Sequence, residues 1–317
     1  MFMKFFFFSI LLFLSISVFS QQKFSKEFSF LTDNDLYVSK VKDRYYSNGM
    51  FLTYRYLTKD FKNLEKKIIE LQIGHEIYTP YKSTVINVAL HDRPFAAYLY
   101  GSVGILRVYK NEKILKTKLQ IGVVGKSAFG EELQEAIHTI YNFRNPDGWK
   151  YQIRNTVAIN FDTEYYKALG TNKTKHFDSN FVSKLRLGTI FSEASIGLMG
   201  RIGFKELQPI QNSIAFNTHL NNDATSYVRG IESFLYYETS LTYVAYDATL
   251  QGSLFNNDSP VTYKPNAIRF DIELGYKFTA KRCNFGYAYH FHSNKISKLR
   301  FDNGNDYGRI FFSYLFH

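Results

Sequence analysis

The stretch Ile268-Arg-Phe-Asp-Ile-Glu-Leu-Gly-Tyr-Lys-Phe278 decides the fold, because its side chains alternate without a break. Every even-numbered position is large and apolar, whereas the odd positions are Arg269, Asp271, Glu273, Gly275 and Lys277. A period of two is that of a β-strand with one apolar and one polar face. An apolar, partly aromatic face on a segment of about ten residues is typical of a transmembrane β-barrel strand with a polar lumen behind it.

The same alternation recurs along most of the chain, as in Phe285, Tyr287, Tyr289 and Phe291. A soluble β-sandwich also alternates, but its inner faces are mostly aliphatic. Here 18% of the residues are aromatic, although the mean hydropathy is slightly negative at -0.25. The pattern predicts about twelve strands, an even number as in bacterial barrels, at roughly 24–32, 47–58, 66–77, 95–109, 115–126, 150–166, 176–190, 193–204, 228–246, 267–280, 282–293 and 305–317.

We therefore expect an all-β protein in which residues 21–317 form one antiparallel transmembrane β-barrel of the outer membrane. With both termini in the periplasm, the connections after the odd-numbered strands would face the cell exterior. The tight link at 279–284 then falls on the periplasmic side, as a short turn should. The long polar stretch 205–227 also falls there, and its role does not follow from the sequence.

Residues 1–20 carry the pattern of a secretory signal peptide. Lys4 precedes an apolar run from Phe5 to Val18, and Ser20 offers a small residue for cleavage. The run is too short for a comfortable helical membrane span. Export argues against nucleic acid as a partner, so the net charge of +11 favours a phospholipid surface or a phosphorylated glycolipid. The lone Cys283 cannot form an internal disulfide.

Residues 130–140 interrupt the alternation with a helical pattern. Phe129, Leu133, Ile137 and Ile140 fall at helical spacing, and glutamates occupy the first turn. The pattern predicts a short amphipathic helix in the extracellular loop after the fifth strand. Gln134 and His138 are four residues apart, so their side chains lie on one face of this helix.

Three outer loops carry clusters of polar residues. The first holds the motif Thr-Asp-Asn-Asp-Leu-Tyr at 32–37, followed by Asp-Arg-Tyr-Tyr-Ser-Asn-Gly at 43–49. The oxygens of Asn34 and Asp35 could ligate a hard cation, for which Ca²⁺ is the natural candidate outside the cell. The second loop ends His-Asp-Arg-Pro-Phe-Ala-Ala-Tyr-Leu-Tyr-Gly at 91–101, and the third ends Asn-Pro-Asp-Gly-Trp at 145–149.

Taken in order, these motifs resemble the outer-membrane lipid A 3'-O-deacylase family known as LpxR. The resemblance covers residues 27–155 and returns more weakly at 244–255. It implies a twelve-stranded barrel whose active site lies between the barrel wall and a helix of an outer loop. It also implies Ca²⁺-dependent hydrolysis that removes the 3'-O-linked acyloxyacyl group from lipid A in the outer leaflet, at a site that faces the cell exterior.

Carried over position by position, the resemblance implies that His138 is the general base that activates water, with Gln134 beside it. Asn34 and Asp35 fall at the metal site, and Ser47 takes a position where relatives often carry Thr. Lys82, after Tyr-Thr-Pro at 78–80, is matched loosely to a basic residue of the family's site.

The chemistry is plausible for ester hydrolysis. Histidine titrates near neutral pH and can deprotonate water, while Ca²⁺ held by Asp35 could polarise the carbonyl, with Lys82 as a second electrophile. Asp92 and Arg93 are the candidate substrate-binding residues. The expected partners are lipid A or lipopolysaccharide and the outer membrane, and no obligate protein partner is implied. Departures from the family pattern are Asp33 for Glu, Lys126 for Pro, and His91 and Ala97 in the second motif.

Other interpretations remain open. Residues 33–35 could form only a polar turn, His138 could be solvated, Lys82 could be an ordinary surface charge, and Asp92 and Arg93 could be a structural ion pair. A phospholipase with a Ser-His pair is a second class, for which His290, His292 and Ser293 are candidates. There, however, Phe291 stands where such an enzyme places its histidine. A porin or adhesin without catalytic activity is a third class.

Overall fold

The computed structural model describes residues 23–38, 44–59, 63–170, 175–297, 299–301 and 303–317. They form a closed antiparallel barrel in which each strand pairs with its sequence neighbours and β1 pairs with β12. The strands are β1 Lys26–Asn34, β2 Tyr45–Leu57, β3 Lys66–Thr79, β4 Ala96–Tyr109, β5 Lys113–Val124, β6 Thr156–Ala168, β7 Phe177–Gly188, β8 Phe191–Gly203, β9 Ser233–Asp247, β10 Ile268–Ala280, β11 Cys283–His292 and β12 Asn305–Phe316.

The prediction of a twelve-stranded antiparallel barrel is confirmed. The helix expected at 130–140 is α1, Gly130–Tyr141, and a second short helix, α2, covers Ala248–Gln251. Two predicted strand starts are wrong. β6 begins at Thr156 rather than at 150, and β9 begins at Ser233 rather than at 228. Residues 149–151 instead form a single 3-10 turn whose Trp149 is buried beneath α1.

The two faces of the wall differ as the alternation predicts. Large apolar side chains such as Leu52, Ile73 and Ile121 are exposed on the outer face, which suits contact with lipid. The inner face carries charged residues in ion pairs, for example Arg309 with Asp33 at 2.8 Å and with Glu273 at 2.7 Å. The lumen is therefore polar. Within the described part of the chain, no helix is long and apolar enough to cross a membrane.

The two ends of the barrel are built differently. We call loop end the one that carries the connections after β1, β3, β5, β7, β9 and β11, and plugged end the opposite one. At the plugged end the links are short, including the two-residue turn between β10 and β11, except for residues 204–232. The predicted signal peptide, residues 1–20, lies outside the described residues and stays a prediction.

Residues 204–232 fold into the barrel and fill its plugged end. Ile214 and Leu220 are fully buried against the inner face of the strands, in a cluster with Ile68, Ile114 and Phe234. The ammonium of Lys66 on β3 donates to Asn212 Oδ1 at 2.9 Å and to the Thr218 carbonyl at 2.7 Å. The long polar stretch is thus a plug rather than a free periplasmic loop.

Candidate active site

A small cavity lies between the outer face of β1 to β3 and helix α1. Its volume is about 20 Å³, which is enough for one water molecule or one ion. It brings together five of the residues predicted for the site: Asn34, Asp35, Ser47, Gln134 and His138. The remaining lining residues are Leu36, Asn48, Ile77, Ile137 and Phe143.

Asn34 and Asp35 reach the cavity from the end of β1. Asn34 Oδ1 accepts a hydrogen bond from the Leu36 amide at 2.7 Å, which caps the 3-10 turn at Asp35–Tyr37. Asp35 is only 2% exposed, and its Oδ2 accepts from the Arg44 amide at 2.8 Å. The polar turn considered for this motif is therefore real, and the same turn presents both side chains to the cavity.

Ser47 and Asn48 reach the cavity because of a β-bulge in β2. Tyr46 pairs with Tyr78 and Asn48 with Ile77, so Ser47 is an extra residue between them. Such bulges redirect side chains and are common beside active sites. The Ser47 hydroxyl donates to the Ile77 carbonyl at 3.4 Å.

Asn48 carries a buried acceptor that the sequence did not single out. Its side-chain Oδ1 has no hydrogen-bond partner among the described residues, and Asn48 lines the cavity. A buried polar atom without a partner needs an explanation, such as a water molecule or an ion. Asn48 belongs to the polar motif at 43–49, but the sequence of that motif does not reveal the bulge that turns Asn48 to the cavity.

Helix α1 lies tightly against the wall because it begins with glycine. A Cβ at Gly130 would stand 2.4 Å from the Ala97 Cβ and 2.5 Å from the Trp149 ring, so no larger residue fits. Trp149 is fully buried, and its indole Nε1 donates to Gln134 Oε1 at 2.7 Å. Trp149 holds the helix and Gln134 in place, a role that its sequence pattern does not predict.

His138 is oriented by the turn that ends α1. Asn142 adopts a left-handed conformation with φ 56°, and the Phe143 amide donates to the His138 carbonyl at 2.8 Å. The chain then brings the Arg144 carbonyl to 2.6 Å from His138 Nδ1. A carbonyl oxygen can only accept, so Nδ1 carries the proton, and in the neutral ring the basic lone pair is at Nε2.

Models of known protein families identify the relatives of this chain. The family described as outer membrane protein LpxR matches residues 6–316, nearly the whole chain. The chain belongs to the LpxR family. Its membership supports an outer-membrane protein of the general class of lipid A deacylases.

Among solved structures, the fold of this LpxR-family barrel is similar to that of LpxR from Salmonella typhimurium. The TM-score is 0.71 at 17% identity, and the match covers 92% of this chain and 100% of the other. The β domain of the Bordetella autotransporter Brka is also similar, with a TM-score of 0.47, 8% identity, and coverage of 93% and 99%. Among the curated proteins no match is found.

Three other predicted site residues of this LpxR-family protein lie outside the cavity lining. Lys82 is exposed in the loop between β3 and β4. Asp92 accepts hydrogen bonds from the Tyr45 hydroxyl at 2.8 Å and from the amides of Tyr81 and Arg300, both at 2.9 Å. Asp92 thus joins three segments of the loop end.

Arg93 has a similar structural environment. Its guanidinium donates to the Tyr45 carbonyl at 3.1 Å and to the Thr249 carbonyl on α2 at 3.3 Å. Burial lowers the pKa of Arg93, although nearby Asp247 and Asp92 act in the opposite direction. These contacts favour a structural role for Asp92 and Arg93, through hydrogen bonds to other described residues rather than as an ion pair with each other. Their substrate-binding role stays a prediction.

The donor atoms around the cavity are those that a hard cation prefers. Asp35 supplies a carboxylate, Asn34 and Asn48 supply amide oxygens, and Ser47 supplies a hydroxyl. No group of three or more His, Cys, Asp or Glu side chains placed to hold a metal occurs among the residues with described positions. From the described residues, a cation here would be bound by one carboxylate and by neutral oxygens, and the unpartnered Asn48 Oδ1 fits that requirement.

Proposed function

We propose that this protein hydrolyses the ester bond that attaches the 3'-O-linked acyloxyacyl group to lipid A, with His138 as the general base and Ca²⁺ as cofactor. The observation that carries the proposal is the shared cavity. A histidine with a defined tautomer and the oxygens of Asn34, Asp35 and Asn48 line one space that is large enough for a single water molecule or ion.

His138 supplies the proton acceptor. With Nδ1 donating to the Arg144 carbonyl, Nε2 is the nitrogen that takes the proton from a water molecule as that water attacks the ester carbonyl. The same carbonyl contact stabilises the imidazolium formed in this step, because Nδ1 remains a donor. As the bond between the acyl carbon and the sugar oxygen breaks, the imidazolium returns this proton to the departing 3'-oxygen, so the products are a free acyloxyacyl acid and a 3'-hydroxyl.

Asn34, Asp35 and Asn48 are the residues that would hold the cation. When bound, Ca²⁺ supplies a positive charge that polarises the ester carbonyl and stabilises the oxyanion. The buried carboxylate of Asp35 is the anionic group that favours cation binding over a neutral water molecule. Ser47 adds a hydroxyl, and Gln134 keeps its place beside His138 through Trp149.

Lys82 is the proposed second electrophile. It is exposed and lies outside the cavity lining. We therefore assign oxyanion stabilisation to the cation site and a minor share to Lys82.

The position of the site suits a lipid substrate. The cavity lies on the outer face of the wall at the loop end, so a lipid in the bilayer can reach it without entering the lumen. If the loop end faces the cell exterior, as the strand order predicts, the site meets the outer leaflet, where lipid A resides.

The test is mass spectrometry of lipid A from cells that express the wild type or the variant His138→Ala, with detergent extracts assayed with Ca²⁺ and with chelator. We expect the wild type alone to release the 3'-linked acyloxyacyl unit, and chelator to abolish the release. His176→Ala, at an exposed histidine of the plugged end, is the matched control. Unchanged lipid A in calcium-supplemented wild-type extracts would overturn the proposal, and phospholipid hydrolysis and conductance would be measured next.

A further inference from the structure

A wide apolar groove runs along the outer wall of the barrel next to the candidate site. Its volume is about 570 Å³, and it spans the outer faces of β1 to β5. Leu52 on β2, Leu71 and Ile73 on β3, Gly101 on β4 and Ile121 on β5 are among its lining residues. The groove therefore faces the hydrocarbon of the membrane.

The groove and the site cavity lie on the same strands, one outward-facing residue apart. On β3 the outward positions run Ile77, His75, Ile73 and Leu71, of which Ile77 lines the cavity and the last two line the groove. Only His75 stands between them, and its Nε2 is 2.6 Å from the Ala128 carbonyl before α1. On β2 the same path runs from Asn48 past Met50 to Leu52.

The length of this path matches one leaflet of a membrane. Ile77 and Leu71 are six positions apart on β3, which is about 20 Å of extended strand. At a strand tilt of about 40° this corresponds to about 15 Å along the membrane normal. That depth is half of a hydrocarbon core of about 30 Å. A chain that starts at the cavity and follows the groove therefore ends near the middle of the bilayer.

Gly101 opens the groove at its centre. It pairs with Ile73 on β3 and with Ile121 on β5, and both of these side chains are more than half exposed. A Cβ at Gly101 would meet no atom within 4 Å, so neither packing nor backbone conformation accounts for glycine here. The missing side chain leaves a notch between two large apolar neighbours.

We propose that this groove binds the hydrocarbon tail of the acyl group that is released, and that Gly101 keeps it open; the inference rests on the proposed deacylase function. The ester carbonyl must react at the cavity, so the tail of the same acyl group begins there. Its favourable course is along apolar surface, because each methylene removed from water or polar headgroups stabilises binding. The groove is apolar and lies next to the site cavity, and along the membrane normal it extends about as far as one leaflet.

The test compares Gly101→Ala and Gly101→Leu with the wild type in detergent, on two substrates. One is lipid A with its ordinary long chains, and the other is an analogue with butyryl at the cleaved position, which is too short to reach the groove. We expect Gly101→Leu to lower kcat/KM on the long-chain substrate about tenfold or more, mainly through KM, with a smaller effect for Gly101→Ala. On the butyryl analogue, both variants should match the wild type.

Ala194→Leu is the matched control. Ala194 is an exposed position of β8 that pairs with Leu185 on β7 and Tyr243 on β9, whose side chains are also exposed. This variant should match the wild type on both substrates. Equal losses on both substrates in Gly101→Leu, or no loss on either, would overturn the groove while leaving the deacylase intact. A wild type that leaves both substrates uncleaved would overturn the proposed function and the groove together. Gel mobility of heated and unheated samples checks that each variant has folded.

Discussion

Two polar clusters lie on opposite faces of the barrel wall, and they meet at two adjacent residues of β1. Asn34 faces outward and lines the site cavity, whereas Asp33 faces inward and forms an ion pair with Arg309 in the lumen. Each cluster contains a histidine, His138 outside and His290 inside. Their surroundings are very different.

The inner cluster is a network of opposite charges. His290 lies 3.5 Å from a carboxylate oxygen of Glu273 and 3.8 Å from one of Asp271, and its ring stacks on Tyr307 with centroids 4.6 Å apart. Arg309 bridges Glu273 and Asp33. Charges arranged in this way neutralise one another and hold the strands together, which is a structural role.

The outer cluster has little charge and an unsatisfied acceptor. Of the described residues that line its cavity, only Asp35 is a carboxylate, and Asn48 Oδ1 has no partner. His138 Nδ1 is oriented by the backbone carbonyl of Arg144. Under the proposed function the less charged cluster is the reactive one, because its Asn48 Oδ1 can accept a hydrogen bond from a water molecule or ligate a cation.

The largest expected effect comes from replacing, one at a time, the two aspartates on either side of Asn34. Asp35→Asn removes the charge at the cavity and should lower kcat by about 10²- to 10³-fold, the usual loss for one oxyanion-stabilising group. The Ca²⁺ concentration for half-maximal activity should also rise. Asp33→Asn removes a lumenal ion pair and should keep activity within about twofold while lowering stability, as for other broken pairs.

Both variants are assayed for deacylation across a Ca²⁺ titration, and for stability by the urea concentration at which half the barrel has unfolded. A loss of activity in Asp33→Asn as large as that in Asp35→Asn would remove the distinction between the two faces. Full activity of Asp35→Asn at low Ca²⁺ would exclude Asp35 as a cation ligand.

The sequence predicts regular parts of the two clusters better than irregular ones. The inward and outward assignment follows from the period of two, because alternation along a strand leaves no freedom about which face a residue occupies. Helical spacing likewise predicted one shared face for Gln134 and His138, whereas Asn34 was proposed from its clustered oxygens and the family resemblance. All three line the cavity.

The residues that were missed depend on irregular structure. Asn48 is directed by a bulge, and Trp149 lies at the start of a segment whose alternation suggested a strand. The contacts of Asp92 and Arg93 include backbone groups of other loops, such as the Arg300 amide and the Thr249 carbonyl. The plug at 204–232 contacts several strands at once and follows no period. None of these arrangements has a repeat that a single sequence can show.

A middle-sized effect is expected at Trp149, which supports the outer histidine indirectly. Trp149→Phe keeps a ring beside Phe95, whose centroid is 5.1 Å away, but removes the donor to Gln134 Oε1. We expect a loss of stability of about 1 kcal/mol for the hydrogen bond. We also expect a fall in kcat of about tenfold with KM nearly unchanged, because misplaced catalytic groups chiefly affect the chemical step.

The assay of Trp149→Phe therefore separates kcat from KM, and Gln134→Ala is measured alongside it and in the double variant. If Trp149 acts through Gln134, the two losses will not add. A variant that is less stable but retains the kcat of the wild type would make Trp149 a packing residue only.

The smallest effect is expected at His290, where an unexpected loss of activity would contradict the assignment of the reaction to the outer cluster. His290→Gln keeps a polar side chain between Asp271 and Glu273 and should leave deacylation within about twofold of the wild type, since typical losses for a general base are about 10²- to 10⁴-fold. The physical reason is access. His290 faces the lumen, whose plugged end is filled by residues 204–232, whereas a membrane-anchored ester approaches the outer face of the wall.

A loss in His290→Gln comparable to that in His138→Ala, measured on the same lipid A preparation, would mean that the reaction takes place inside the barrel. Retained activity would leave the lumenal charges as a scaffold that fixes β1, and through β1 the position of Asn34.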